Sequence, residues 1–171
     1  LAVSLLGLQM SVAQLAEIGV MGTSLAAFGL LSTFLFTIWM GRLLGVDRGL
    51  AQLLAAGTSV CGASAIAAAN TVTDANDEDV SYAVACITLF GTIAMLLFPF
   101  IGLMTGLSNR AYGLWVGLSV HEVAQVVGAA FQGGTEAGEV AVVTKLARVM
   151  MLAPLVIGLS CFLARPSKQA G

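Results

Sequence analysis

The feature that most constrains this chain is an unbroken apolar run from Ile18 to Met40 that carries no charge and stops at Arg42. About 20 apolar residues cross the roughly 30 Å hydrocarbon layer of a bilayer as a helix, so this run reads as a transmembrane segment. The rest of the chain agrees: of 171 residues 58% are hydrophobic and 9% charged, and the mean hydropathy is +0.98, too little polar surface to coat a soluble globule. A β-barrel would show short stretches alternating apolar and polar residues, and none occur, which leaves helices. The expected fold is therefore an all-α membrane protein, a polytopic transmembrane helix bundle forming one domain over residues 1–171.

Four further segments follow the same logic. Leu1 to Glu17 is apolar but interrupted by Gln9, Gln14 and Glu17, so it reads as the tail of an earlier span or an interfacial helix. Val80 to Met104, where Pro99 is expected to kink or end the helix, and Tyr112 to Phe131, opened by the boundary aromatics Tyr112 and Trp115, read as crossings. Val140 to Ala164 reads as a fifth. Leu50 to Thr73 is different, because Gly57, Thr58, Ser59, Gly62 and Ser64 put small and hydroxylated residues at its middle. One reading is a tightly packed small-residue face. The expectation adopted is a broken or re-entrant helix, whose freed backbone groups the hydroxyls would satisfy.

If every segment crosses, Arg42, Arg48, Arg110, Arg165 and Lys168 share one side, cytoplasmic by the positive-inside rule. The acidic run Asp74 to Asp79, read as a solvated loop and helix cap, then falls on the opposite side with Glu136 and Glu139. A re-entrant Leu50 to Thr73 would reverse everything after it. The opening at Leu1, with no leader pattern, reads as a cut end.

Chemistry concentrates in Ser119, His121, Glu122 and Gln125, which lie inside an apolar run where ionised side chains cost about 2.5 to 3.5 kcal/mol or more. On a continuous helix Gly117, His121, Gln125 and Gly128 would share a face, making a polar wedge that could bind a solute, with His121 and Glu122 exchanging a proton. The alternative is that these groups only hold helices together. Lys145 and Arg148 either snorkel to the interface or supply positive charge to an anion vestibule.

Other chemistries find no support. Gln125 stands where a second zinc-binding His would be needed, and Gly62-Ala-Ser64-Ala-Ile66 misses the last glycine of the serine-nucleophile frame. Cys61, Cys86 and Cys161 have no metal spacing, and the few dispersed basic residues exclude a nucleic-acid footprint. No enzyme, metal or cofactor is expected.

Three stretches in order, Ala55 to Ala68, Ile87 to Met95 and Ser119 to Val127, followed by Lys145-Leu-Ala-Arg148 and Leu152-Ala-Pro154, resemble the YeiH-like sulfate-exporter family of membrane proteins. The resemblance implies that this chain is part of a longer carrier in the inner (plasma) membrane. It implies a secondary transporter of a small inorganic anion such as sulfate; the alternative is a proton- or sodium-coupled carrier of a small organic solute. The expected site comprises Gly57, Thr58, Ser59, Gly62, Ser64, Ser119, His121, Glu122 and Gln125, with Lys145 and Arg148 as electrostatic attractors. The expected partners are the lipid bilayer, the anion and a coupled proton, and the small-residue faces permit a homo-oligomer.

Overall fold

The computed structural model describes residues 12–73 and 75–163, all helix and short connections. Helix α1 spans Val12–Leu43, α2 Arg48–Ser59, α3 Ala63–Thr73, α4 Asp77–Thr105, α5 Asn109–Ser119, α6 Val123–Ala130, α7 Thr135–Met150 and α8 Leu152–Leu163, with a 3-10 turn at Phe131–Gly133. The helix starts are written locally. Asp47 accepts from Gly49 N–H at 2.8 Å, Asn76 from Asp79 N–H at 2.7 Å and Ser108 from Ala111 N–H at 3.3 Å, satisfying first-turn donors. Asp77, Glu78 and Asp79 complement the positive end of α4.

Two of the expected spans fold back on themselves. Arms α2 and α3 meet at Val60-Cys61-Gly62, where Gly62 takes φ +73°. A Cβ on Gly49, at the start of α2, would lie 3.1 Å from Ala75 Cβ, just past the end of α3. The two ends of this segment are thus neighbours, and residues 48–73 form a re-entrant hairpin, as the small-residue cluster led one to expect. Each arm is about 17 Å long, enough to reach the middle of a bilayer and not to cross it.

Tyr112 to Phe131 corrects its reading as a crossing. Arms α5 and α6 are separated by Val120-His121-Glu122, Tyr112 Oη donates to Ala129 O at 3.0 Å, and Gly134 sits beside the Asn109 side chain. This is a second hairpin. His121 lies in the break and Gln125 beyond it, so Gly117, His121, Gln125 and Gly128 do not share one helical face.

The mouths of the hairpins lie at opposite ends of α4. Ala75 leads directly into α4, whereas a Cβ on Gly102 near its far end would meet the Tyr112 ring at 2.6 Å. Both tips reach the middle of α4: Gly62 faces Ile87, and Gln125 Nε2 donates to Thr88 O at 3.2 Å and lies 3.3 Å from Thr92 Oγ1. The sequence repeats to match. Gly57-Thr-Ser59-Val60 and Gly117-Leu-Ser119-Val120 coincide on a shift of about 60 residues, which also superposes the two hairpins and brings α4 onto α7 with α8. Hairpin plus long helix, twice, entering from opposite ends, is an inverted-topology repeat.

Each hairpin has its own apolar cluster. Leu53, Ala56, Val60, Ile66, Ala69, Ala83 and Ile87 pack the first; Tyr112, Val116, Val120, Val126, Ala129, Ala137 and Ala141 pack the second. Pro99 does not end α4, which runs on to Thr105, while the α7–α8 junction at Met151 falls just ahead of Pro154, whose ring nitrogen cannot donate to Met150 O. Segments Asp77–Thr105 and Thr135–Cys161 are long and apolar enough to cross a membrane. The outer faces of α1 and α4 carry exposed Phe28, Leu35, Phe36, Phe100, Leu103 and Met104, the last two 82% and 87% exposed, as a lipid-facing surface does. Arg165, Lys168, Asp74 and most of Leu1 to Glu17 lie outside the described residues.

Candidate functional site

At each hairpin tip one helix ends and another begins, so backbone carbonyls and backbone amides are both left without helical partners. The carbonyls are taken by two cations. Lys145 Nζ donates to Val60 O and to Val120 O, each at 2.8 Å, bridging the two tips at positions equivalent in the repeat. Arg148 Nε donates to Ser59 O at 3.1 Å, and its Nη groups donate to Thr58 O at 3.2 Å, to Ser59 O and to Leu118 O. Cations suit helix C-termini, and here two of them serve two C-termini at once. Lys145 is 0% and Arg148 2% exposed and both bond directly to the tips, so the snorkelling reading is corrected: both are core groups. Every hydrogen bond that these side chains make among the described residues ends on a main-chain carbonyl.

The amide ends open on a cavity of about 290 Å³. Cys61, Ala63 and Ser64 line it from the first tip, Glu122, Val123 and Ala124 from the second, and Leu146 and Val149, next in sequence to Lys145 and Arg148, from α7. The first turns of α3 and α6 thus converge on one space, each with N–H groups that have no partner inside the helix. Gly62 brings the tips together, since a Cβ there would lie 2.7 Å from Glu122 Cγ.

The expected site residues divide by position. Ser64 and Glu122 line the cavity and Gly62 abuts it. Thr58 Oγ1 donates to Leu54 O at 2.7 Å and lies 3.4 Å from Thr37 Oγ1, and buried Ser59 donates to Ala55 O at 2.6 Å, so both hydroxyls serve the end of α2. A Cβ on Gly57 would press on Ile66 and Ile87, which makes Gly57 a packing position. Gln125 ties the second tip to α4 and accepts from Glu122 N–H at 3.3 Å. Ser119 is half-buried in the last turn of α5. His121 sits at the second tip with Nδ1 buried and without a hydrogen-bond partner. Cys61, noted from sequence only for its lack of metal spacing, lines the cavity; Val60 and Val120 were missed because they act through their carbonyls, which side-chain identity does not report. The 60-residue repeat was the signal that could have found them.

Among the described residues no group of three or more His, Cys, Asp or Glu is placed to hold a metal ion.

The fold and the site together define an all-α membrane protein built on two opposed re-entrant hairpins. The model of the family "conserved hypothetical protein 698" matches residues 1–171, and the chain belongs to that family. It is similar to a UPF0324 membrane protein of Pasteurella multocida (39% identity over 99% of this chain and 52% of the relative). A UPF0324 membrane protein of Pseudomonas aeruginosa is 42% identical over 94% of this chain and 47% of the relative. The UPF0324 inner membrane protein YeiH of Escherichia coli is 39% identical over 92% and 46%. The chain spans about half the length of these curated relatives. No solved structure matches it.

Proposed function

We propose that this chain is the substrate-binding part of a longer, multi-pass secondary carrier that exports a small inorganic anion such as sulfate across the inner membrane. The observation that carries the reading is the convergence of two half-helix N-termini, from hairpins of opposite entry, on one 290 Å³ cavity. Opposed half-helices in inverted repeats place solutes at mid-membrane, and helix N-termini attract anions. Lys145 and Arg148 bring two buried basic side chains next to the cavity, whose one acidic lining residue is Glu122. Ser64 Oγ and the first-turn amides of α3 and α6 would hold the anion, and the names of relatives support the inner-membrane location.

Glu122 favours a second element. A carboxylate on the wall repels an anion, so binding would be accompanied by a proton on Glu122 or His121, which makes proton coupling part of the proposal. An organic solute with Glu122 as coupling-ion ligand is the competing reading.

The test is thermal unfolding of full-length detergent-solubilised protein against inorganic and organic anions. Binding raises apparent stability by mass action. A saturable shift with sulfate-class oxyanions, reduced at least about tenfold in apparent affinity by Ser64→Ala and altered in pH dependence by Glu122→Gln, supports the assignment. A shift only with organic solutes, or unchanged by both variants, overturns it.

A further inference from the structure

The carbonyl side of the tips carries a second inference. Where half-helix C-terminal ends and unwound carbonyls meet inside a membrane carrier, they form the kind of place that holds a coupling cation. Here Val60 O and Val120 O, from opposite hairpins, face one point between them, and that point is occupied by Lys145 Nζ at 2.8 Å from each. Lys145 is 0% exposed, and its Nζ meets main-chain carbonyls rather than a carboxylate, the surroundings a bound monovalent cation would have. Arg148 fills the adjoining carbonyls of Thr58, Ser59 and Leu118 in the same manner.

We propose that the Lys145 ammonium is a tethered cation occupying a monovalent-cation position between the two hairpin tips, so that the protein binds its solute without sodium. The cation that joins the two repeats is supplied by the chain itself through α7. Only the second half of the statement rests on the carrier reading; the cation position stands on the carbonyl geometry alone.

Lys145→Ala removes the side chain beyond Cβ, and n-propylammonium replaces those atoms and the charge. In full-length protein the Lys145→Ala variant unfolds at a lower temperature than the wild type. Millimolar n-propylammonium raises that temperature saturably by several degrees, and tetramethylammonium and propanol do not. Wild type, whose position is filled, and Lys145→Met, whose apolar chain occupies the space, show no such rise. No rescue of the alanine variant, or equal rescue of the methionine variant, overturns the cation position.

The wild-type protein decides independently of whether the variants fold. Exchanging sodium for choline is expected to leave its unfolding temperature and its solute-induced shift unchanged; a sodium-dependent rise in either overturns the proposal. If no solute shifts the wild type while propylammonium still rescues Lys145→Ala, the carrier reading fails and the tethered cation stands.

Discussion

Arg148 shows at single-residue scale how a charge can be buried in a membrane protein at tolerable cost. Its guanidinium is a fixed fork of donors, and the tips present main-chain carbonyls from two hairpins within its reach, so the charge is solvated by peptide dipoles. Removing it strands several buried acceptors, each costing about 1–3 kcal/mol. Arg148→Ala is therefore expected to destabilise the protein by about 3 kcal/mol or more in detergent unfolding, and Arg148→Lys by less, because an ammonium still serves some of the carbonyls. The exposed Arg110→Ala serves as the near-neutral control. Gly62 is the other decisive residue. Its φ of +73° strains any other L residue by about 1–2 kcal/mol, and an added Cβ would also push Glu122 away. Gly62→Ala should lower stability by about that amount and weaken the solute-induced shift beyond what stability explains; an unchanged shift would detach the tip from binding.

At the scale of elements, one break was legible in the sequence and the other was hidden. Residues 57–64 announce theirs, because two glycines and three hydroxyl side chains are poor material for a smooth helix. The run Leu118-Ser-Val-His-Glu-Val123 reads as continuous by hydropathy, since no residue in it forbids a helix; tertiary contacts break it. Those contacts are Lys145 on Val120 O and the close approach of α5 to α7. That approach depends on glycine. A Cβ on Gly113 would lie 2.4 Å from Ala137 O and one on Gly117 2.6 Å from Ala141 O, both main-chain atoms of α7 that cannot step aside. Gly117→Ala is expected to cost about 1–3 kcal/mol by forcing α5 off α7. Gly29→Ala, with no neighbour within 4 Å, should be neutral or mildly stabilising. Equal effects of the two substitutions would mean that the packing does not govern the hairpin. Lys145 and Arg148 could be picked out as unusual from sequence; their carbonyl partners, some 25 to 90 residues away, could not.

For the whole molecule the two hairpins redraw the topology. With 48–73 re-entrant, the connection before α2 and the one before α4 fall on the same side, so Arg42 and Arg48 share it with Asp77, Glu78 and Asp79. Crossing α4 then carries Arg110, the second hairpin mouth and Glu136 to the opposite side. Relative to five crossings this is the reversal of the acidic stretch and Arg110 that a re-entrant Leu50 to Thr73 was expected to bring, and the second hairpin then returns Glu136 to the side opposite Arg42. Arginine and lysine, rather than net charge, set orientation, so the Arg42 and Arg48 side is expected to be cytoplasmic even though it carries the acidic cluster. Single-cysteine labelling of the full-length protein in intact cells and inverted vesicles checks this, after replacement of its native cysteines, Cys61, Cys86 and Cys161 among them. Cysteines at exposed Leu44 and Glu78 are expected to react only from the cytoplasmic face, and those at exposed Leu107 and Glu136 only from the other. If Leu44 and Glu78 label from opposite faces, the first hairpin crosses after all, its tip no longer opposes the second across the membrane, and the inverted repeat that builds the cavity is wrong. If the two pairs segregate as stated, a cysteine at Ser64 reports from which side the cavity is reached, and an added anion that protects it from labelling locates the solute between the tips.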